Sequence, residues 1–473
     1  MRYLNRTYRV LPTPKFPIVA IESRGAYTIG QSAAGGAGAE PTNPTDRGPS
    51  PMSATTGVGR GEAIAGAGSP ASARAVPAPA AARRNAGLDA LRAAVTLLVL
   101  FHHTAITYGA IGGWYYHEVQ PDGSLGSGLL IFFCTVNQAF FMGLFFLIAG
   151  YLMPGAVERH GAGAYLRERA LRLGVPILAF SLFIGPLTIV LATRANPASA
   201  AAVAQSVKEL AFGERLLVYG RLGLFAVGPL WFPAALLVFS FAYVAWRALA
   251  SRLPTLRRPA ATRPFPSNFT LAAAALATGA AAFALRLVWP LGVESFGPAF
   301  GYFSTDLGFF SSYIVLFAAG CMGASAGWLD AAPKAQRRLW LNVAWFAMPV
   351  MVALPLLAPH VPALQGDAAG GWNLPAAIYA FWEPLVAWGI ILALLHAFQR
   401  RFASLGPIWS ALARRAYAIY IIHPPVLVAV ALAWRHVEAP HLVKFAITGA
   451  ATCLACFWLA GLLLRAPWIR RIV

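Results

Sequence analysis

Residues 87–103 read Gly-Leu-Asp-Ala-Leu-Arg-Ala-Ala-Val-Thr-Leu-Leu-Val-Leu-Phe-His-His, an apolar stretch that is long enough to enter a lipid bilayer as a helix. Ionisable side chains are costly inside a bilayer, so Arg92 and His103 are candidate functional residues. An α-helix turns about 100° per residue, which brings His103 within roughly 20° of the Arg92 face and leaves His102 about 80° away from it. The alternative is that Arg92 extends to the membrane interface and His103 is a buried structural histidine.

The composition of the whole chain is typical of a membrane protein. Of its 473 residues, 58% are hydrophobic and only 11% are charged, whereas soluble domains contain about 25% charged residues. The sequence therefore predicts an all-α, polytopic membrane helix bundle in contact with the lipid bilayer. The net charge of +20 does not indicate nucleic acid as a partner, because Lys and Arg gather in particular loops. The four cysteines all lie in apolar segments, and no His and Cys spacing predicts a metal site.

The chain divides into two parts of different composition. Residues 1–82 are rich in Ala, Gly and Pro without hydrophobic periodicity, so we expect a disordered N-terminal segment. Residues 83–473 form the predicted integral membrane domain. Its apolar segments predict ten transmembrane helices, at about 87–108, 127–153, 171–192, 222–247, 269–291, 307–328, 339–358, 374–398, 412–434 and 441–465.

The distribution of Lys and Arg predicts the orientation of these spans. Loops on one side contain most of them, whereas the alternate loops at 109–126, 292–306 and 359–373 contain none. The loop at 193–221 is an exception, since it contains four. By the positive-inside rule the loops without cations face away from the cytoplasm, and both termini lie in the cytoplasm.

A second candidate site lies at the cytoplasmic start of the third span. Arg169 and Arg172 are three residues apart, so an α-helix would place them on one face. Two guanidinium groups on one face can bind a phosphate or carboxylate through paired hydrogen bonds. The alternative is that they only anchor the helix at the cytoplasmic side.

Three later spans contain further candidates. Tyr420 and His423 are three residues apart in the ninth span, beside prolines that loosen the helix where it could line a cavity. Glu383 in the eighth span must be paired or neutral at that depth, so it is either catalytic or part of an ion pair. Arg286 is a candidate partner for it, or for acidic residues nearer the outer surface. Trp231 lies near the outer start of the fourth span and could be an ordinary interface aromatic residue.

The order of these motifs resembles the acyltransferase 3 family of membrane acyltransferases. The resemblance covers about residues 86–430, and one departure is Ala149, where the family pattern has Ser. It rests on five motifs, namely Leu88-Asp89-x-x-Arg92 followed by Phe101-His102-His103, Phe145-Phe146-Leu147-Ile148-Ala149-Gly150-Tyr151-Leu152, Arg169-x-x-Arg172-Leu173, Pro229-Leu230-Trp231-Phe232, and Tyr417-x-x-Tyr420-x-x-His423-Pro424.

The resemblance implies an O-acyltransferase that transfers groups other than aminoacyl groups. It implies transfer of an acyl group, often acetyl, from cytoplasmic acyl-CoA to a hydroxyl of an extracytoplasmic glycan or glycolipid. Acyl-CoA would then be a co-substrate and not a permanently bound cofactor. The implied location is the bacterial cytoplasmic (inner) membrane. The resemblance also implies either a mechanism within this one chain or a separate extracytoplasmic partner protein.

Side-chain chemistry allots roles within this expected reaction. Imidazole titrates near neutral pH, so His103 is the expected base. The other catalytic candidates are Arg92, Glu383 and His423; the acyl-CoA-binding candidates are Arg92, Arg169 and Arg172; the acceptor-side candidates are Trp231 and Tyr420. No Ser or Cys stands in a nucleophile motif, so direct transfer is preferred to an acyl-enzyme, with an acyl-histidine as the alternative. A transporter or flippase of acyl groups or glycan precursors is the alternative function, and a non-catalytic membrane scaffold is a third.

Overall fold

A computed structural model of the protein describes residues 85–194, 227–253, 264–292 and 307–473. Ten helices in these ranges are long and apolar enough to cross a membrane, which confirms the predicted all-α bundle. They are α1 Ala86–Thr107, α2 Leu125–His160, α3 Ala162–Thr193, α4 Gly228–Arg252, α5 Asn268–Val288, α6 Leu307–Ala326, α7 Lys334–Leu357, α8 Leu374–Arg401, α9 Pro407–Ala433 and α10 His441–Leu463. The predicted disordered segment, residues 1–82, lies outside the described residues, and the side of the membrane on which the termini lie stays a prediction.

The first span is the most deeply buried of the ten and packs against α2, α8, α9 and α10. Its N-terminus is capped by Asn85, whose side chain accepts a hydrogen bond from the Leu88 amide at 3.0 Å. Near its other end the Thr104 hydroxyl donates to the Leu100 carbonyl one turn earlier, at 2.8 Å, so this buried polar group has a partner. This position places His103 inside the bundle, surrounded by other spans.

Close packing of α2 against α6 explains the glycine in the motif at residues 145–152. A side chain at Gly150 would collide with the backbone carbonyl of Phe317 in α6. In return, a side chain at Gly320 would collide with the carbonyl of Leu147 in α2. Small residues that let two helix backbones approach are a common device of membrane helix packing. The alanine before Gly150 contacts a neighbouring apolar cluster, so its difference from the family pattern falls at a packing position.

Proline residues disturb the winding of α3. Two segments of this span are π-helical, Ala170–Gly174 and Phe180–Ile184. Each segment ends just before a proline, Pro176 or Pro186, whose nitrogen carries no hydrogen and cannot continue the α-helical pattern. Wider π turns of this kind are frequent at functional sites. The third span therefore departs from a regular helix in two places, the first of which contains Arg172 and begins directly after Arg169.

Candidate active site

Two histidines from distant parts of the chain meet inside the bundle. His103 Nδ1 in α1 lies 3.0 Å from His423 Nε2 in α9, although 320 residues separate them in sequence. His423 is fully buried and His103 is half-buried. Their ring planes are within 13° of parallel and the ring centroids are 5.1 Å apart. The neighbouring His102 instead stacks on Phe141, at 4.9 Å between ring centroids.

The proline after His423 explains how this histidine is oriented. In an α-helix the Tyr420 carbonyl would accept from the nitrogen four residues later, but that residue is Pro424 and has no N–H. His423 Nδ1 takes the vacant place, at 2.6 Å from the Tyr420 oxygen. A carbonyl can only accept, so His423 Nδ1 carries the hydrogen. The local sequence Tyr-Ile-Ile-His-Pro thus fixes both the ring direction and its tautomer.

This tautomer determines the protonation of His103. Neutral His423 has its hydrogen on Nδ1, so its Nε2 can only accept a hydrogen bond. His103 must then donate from Nδ1, which leaves His103 Nε2 without a hydrogen. The pair forms a chain of two hydrogen bonds that ends in one unprotonated nitrogen on His103. An imidazole nitrogen in this state can remove a proton from a hydroxyl.

An aromatic loop between α1 and α2 covers this pair. The Trp114 indole stacks on the His103 ring with centroids 4.0 Å apart and planes within 10° of parallel. The next residue, Tyr115, places its hydroxyl against Gly228 at the start of α4, where any side chain would collide with it. Gly228 also has a φ of +48°, which favours glycine. Burial raises the pKa of the Tyr115 hydroxyl above its ordinary value.

The tenth span anchors the same loop. The Lys444 ammonium forms a largely buried ion pair with Glu118 and lies 5.4 Å from the centroid of the Trp434 ring. At the base of the loop, the Tyr108 hydroxyl is 2.9 Å from the Thr448 hydroxyl. A buried charge without a partner is costly, so the ion pair resists separation of the loop from α10. These contacts hold the position from which Trp114 reaches His103.

The two predicted acceptor-side residues lie near one turn at the start of α4. The Tyr420 hydroxyl donates a hydrogen bond to the Pro229 carbonyl, two residues before Trp231. Trp231 stacks on Tyr313 of α6, with ring centroids 5.6 Å apart and an angle of 29° between planes. Tyr420 also lies beside His423, at 5.8 Å between ring centroids. The α9 and α4 motifs are therefore in direct contact.

The candidate arginines lie at the opposite end of the spans. The Arg92 guanidinium is 3.7 Å from the Asp89 carboxylate near the start of α1. Arg169 lies over the Tyr165 ring, 5.1 Å from its centroid, and Arg172 pairs with Glu168 at 3.2 Å. The two ion pairs, Arg92 with Asp89 and Arg172 with Glu168, are exposed enough to be weak. A ligand could therefore replace either carboxylate at little cost.

The π-helical winding changes the expected geometry of the arginine pair. Arg169 is the last residue before the π segment and Arg172 lies inside it, so the three-residue spacing does not give the α-helical angle assumed from the sequence. The Arg172 carbonyl would normally pair with residue 176, which is Pro176. The Tyr417 hydroxyl of α9 donates to it instead, at 3.2 Å. The contact ties the arginine motif to the helix that carries His423.

Glu383 forms a buried ion pair with Arg286. The Arg286 side chain is completely buried, and its guanidinium carbon also lies 5.1 Å from the Phe309 ring centroid and 4.9 Å from that of Tyr379. This is the ion pair that the sequence left open as the alternative to catalysis by Glu383. It joins α5 to α8.

A comparison with protein-family models matches residues 85–461 to an acyltransferase domain, that of the acyltransferase 3 family. The chain belongs to this family. It is therefore a membrane acyltransferase with multiple spans, as its motifs predicted. No curated protein and no solved structure matches the chain.

The candidate site contains residues that the sequence did not single out. Trp114 and Tyr115 belong to a run of three aromatic residues in a loop that otherwise contains glycine and polar residues, and this run was the available signal. Lys444 was another, because a lysine in an otherwise apolar span needs a partner. Their contacts with His103 and Glu118 depend on how the loop folds, which no local pattern predicts.

Proposed function

We propose that this acyltransferase moves an acyl group such as acetyl from cytoplasmic acyl-CoA to a hydroxyl of an extracytoplasmic glycan or glycolipid, in the inner membrane of a bacterium. The observation that carries the proposal is the hydrogen-bonded pair of His103 and His423, which leaves one unprotonated nitrogen on His103. Ionisable residues are rare inside a membrane bundle and mark a functional site by default. Acyl transfer to a hydroxyl requires such a base.

The proposed reaction proceeds by direct transfer. His103 Nε2 removes the proton of the acceptor hydroxyl while the hydroxyl oxygen attacks the thioester carbonyl carbon. The resulting tetrahedral intermediate collapses, the carbon–sulfur bond breaks, and the new oxygen–carbon bond remains as the ester. The CoA thiolate then takes the proton from the His103 imidazolium, so the products are the acylated acceptor and free CoA.

His423 assists this step without touching the substrate. When His103 becomes protonated, its Nδ1–H bond to His423 Nε2 becomes charge-assisted, and such bonds are roughly twice as strong as neutral ones. His423 is held for this purpose by the Tyr420 carbonyl. The stabilisation appears only after proton transfer, so it lowers the barrier and leaves acceptor binding unchanged.

The two ends of α1 receive different substrates in this proposal. Arg92 and His103 are eleven residues apart, which separates them by roughly 16 Å along a helix with a rise of about 1.5 Å per residue. A single carbonyl cannot contact both side chains. We therefore assign Arg92, with Arg169 and Arg172, to the phosphates and pantetheine arm of CoA. The thioester reaches the histidine pair from the cytoplasmic side, and the acceptor enters from the outside past Trp231 and Tyr420.

Mass spectrometry of cell-envelope glycans tests the proposed reaction. Cells that carry the gene should contain a glycan with an added acyl mass that is released by mild base, and cells without it should lack this ester. Identical glycans in the two strains would contradict the proposal. A transporter or flippase is distinguished by purified protein in liposomes, which should release free CoA from acyl-CoA only when the acceptor glycan is present.

A further inference from the structure

A groove runs across one end of the bundle, beside the loop that covers His103. Its first part is a cavity of about 570 Å³ lined by Tyr115, Tyr116 and Glu118 of the aromatic loop, and by Arg435 and His436 after α9. These segments follow α1 and α9, so both lie on the same face of the membrane. We call this cavity, together with the one that adjoins it, the outer groove.

The second part of the outer groove is apolar. It is a cavity of about 400 Å³ lined by Leu191 near the end of α3 and by Leu432 and Ala433 of α9. Arg435 and His436 line this cavity as well as the first one, so they mark the junction between the two. The groove therefore has a polar part, an apolar part along two membrane spans, and a cationic residue where the two parts meet.

The charges around this junction are unusual for this face of the protein. Three of the five loops on this side contain neither Lys nor Arg, so cations are scarce there. Lys444 is already paired with Glu118. The Arg435 Nε instead donates to His436 Nε2 at 3.1 Å, and among the described residues no carboxylate lies within ion-pair distance of its guanidinium. Arg194 lines the apolar part and adds a second positive charge.

We propose that the outer groove binds the acceptor as a sugar joined to a lipid through a phosphate. Arg435 binds the phosphate, because a guanidinium matches its geometry with paired charge-assisted hydrogen bonds, and His436 holds this guanidinium by accepting from its Nε. The sugar lies against Tyr115 and Tyr116, and the lipid chain lies along Leu432 and the rest of the apolar part. This inference rests on the proposed function and names its acceptor class.

The position of the sugar part fits the proposed chemistry. Tyr115 lines the polar cavity, and the residue before it, Trp114, stacks on His103. The Tyr115 and Trp114 ring centroids are 5.2 Å apart, so a sugar against Tyr115 lies close to the side chain that covers the proposed base. The lipid chain would remain in the outer half of the bilayer, so only the sugar need enter the protein.

Binding of three synthetic probes tests this inference on the full-length protein in nanodiscs of neutral phosphatidylcholine, without acyl-CoA. The probes are citronellyl glucosyl phosphate, citronellyl glucoside without the phosphate, and methyl glucosyl phosphate without the chain. We expect the first to bind at least about tenfold more tightly than either of the others, because each lacks one of the two contacts. Equal binding of the first two would overturn the phosphate site, and equal binding of the first and third would overturn the lipid part.

Two substitutions locate the contacts. Arg435→Gln should weaken binding of citronellyl glucosyl phosphate about tenfold and leave citronellyl glucoside unchanged. Arg338→Gln makes the same charge change at an exposed site outside the groove and should have no effect. Ala429→Phe fills the apolar cavity and should weaken the citronellyl phosphate but not the methyl phosphate.

Each of these expectations can be contradicted independently of the proposed reaction. Unchanged affinity in Arg435→Gln would overturn the phosphate assignment, and the comparison of the three probes on the unmodified protein decides the same question if this variant does not fold. Because binding is measured without acyl-CoA, probes that bind as expected to a protein that forms no glycan ester would contradict the proposed function alone. Weak, equal binding of all probes to a protein that forms the ester would contradict this inference alone.

Discussion

Replacing His423 by Phe removes both ring nitrogens and keeps the flat ring between Tyr420 and His103. The His103 imidazolium then loses its hydrogen-bond acceptor in the step where it becomes charged. Hydrogen bonds to charged groups contribute about 1.5–3 kcal/mol. At about 1.36 kcal/mol per tenfold change in rate, the turnover rate should fall roughly 10- to 150-fold. The loss should appear in kcat, with the KM for acyl-CoA close to that of wild type.

The double variant with His103→Ala makes this prediction specific. Loss of a general base costs about 10²–10⁴-fold, so His103→Ala alone should be the more severe change. Once His103 is absent, His423 has no imidazolium to stabilise, and the double variant should be no slower than His103→Ala. His102→Phe makes the same chemical change at the neighbouring histidine, which stacks on Phe141, and should retain most of the activity.

The assay follows transfer of radiolabelled acetyl from acetyl-CoA into the glycan fraction of membranes that contain each variant at equal abundance. Membranes supply the native acceptor, so its structure need not be known. Wild-type activity in His423→Phe would refute the hydrogen-bonded pair as a functional unit. Multiplicative losses of activity in the double variant would also refute it, because they would mean that the two histidines act independently.

Three further predictions concern other parts of the protein. Arg169→Ala and Arg172→Ala should each raise the apparent KM for acyl-CoA. Lysine at either position should restore the affinity only partly, because the planar guanidinium is lost. Unchanged acyl-CoA binding in the double alanine variant would mean that the two arginines only anchor the helix. Glu383→Ala should lower the free energy of unfolding by about 3–5 kcal/mol, since it leaves a buried arginine unpaired, and replacing both members of the pair by leucine should recover much of the melting temperature in detergent. With the four native cysteines replaced, a cysteine at Gln120 should react with an impermeant reagent from outside the cell and one at Ser251 should not; the reverse pattern would invert the topology.

Much of the fold follows from the sequence because each membrane span is decided locally. About twenty apolar residues are needed to cross a bilayer, so the chain had to contain helices at these positions. The ends of the helices were harder to predict. Beyond their apolar segments, α2 continues to His160 and α3 begins at Ala162, with only Gly161 between them. The two π segments of α3 could not be predicted from its prolines, because a proline alone does not decide between a kink and a π turn.

The candidate site was predictable only in part, because it depends on contacts between distant residues. The sequence singled out His103 and His423 separately, each as an ionisable group inside an apolar helix. That they meet is a property of how α1 packs against α9, 320 residues later. Arg286 was one of several partners considered for Glu383, and only the packing of α5 against α8 selects it. The stacking of Trp114 on His103 depends on a loop whose shape is fixed by the distant Lys444.

The central claim is that His103 acts as the base that esterifies an envelope glycan. Its most direct test is mass spectrometry of glycans from cells that lack the native gene and express wild type, His103→Ala or His102→Ala at equal membrane abundance. The account predicts the base-labile acyl ester with wild type, a largely retained ester with His102→Ala, and its loss with His103→Ala. An ester at the wild-type level with His103→Ala would contradict the account.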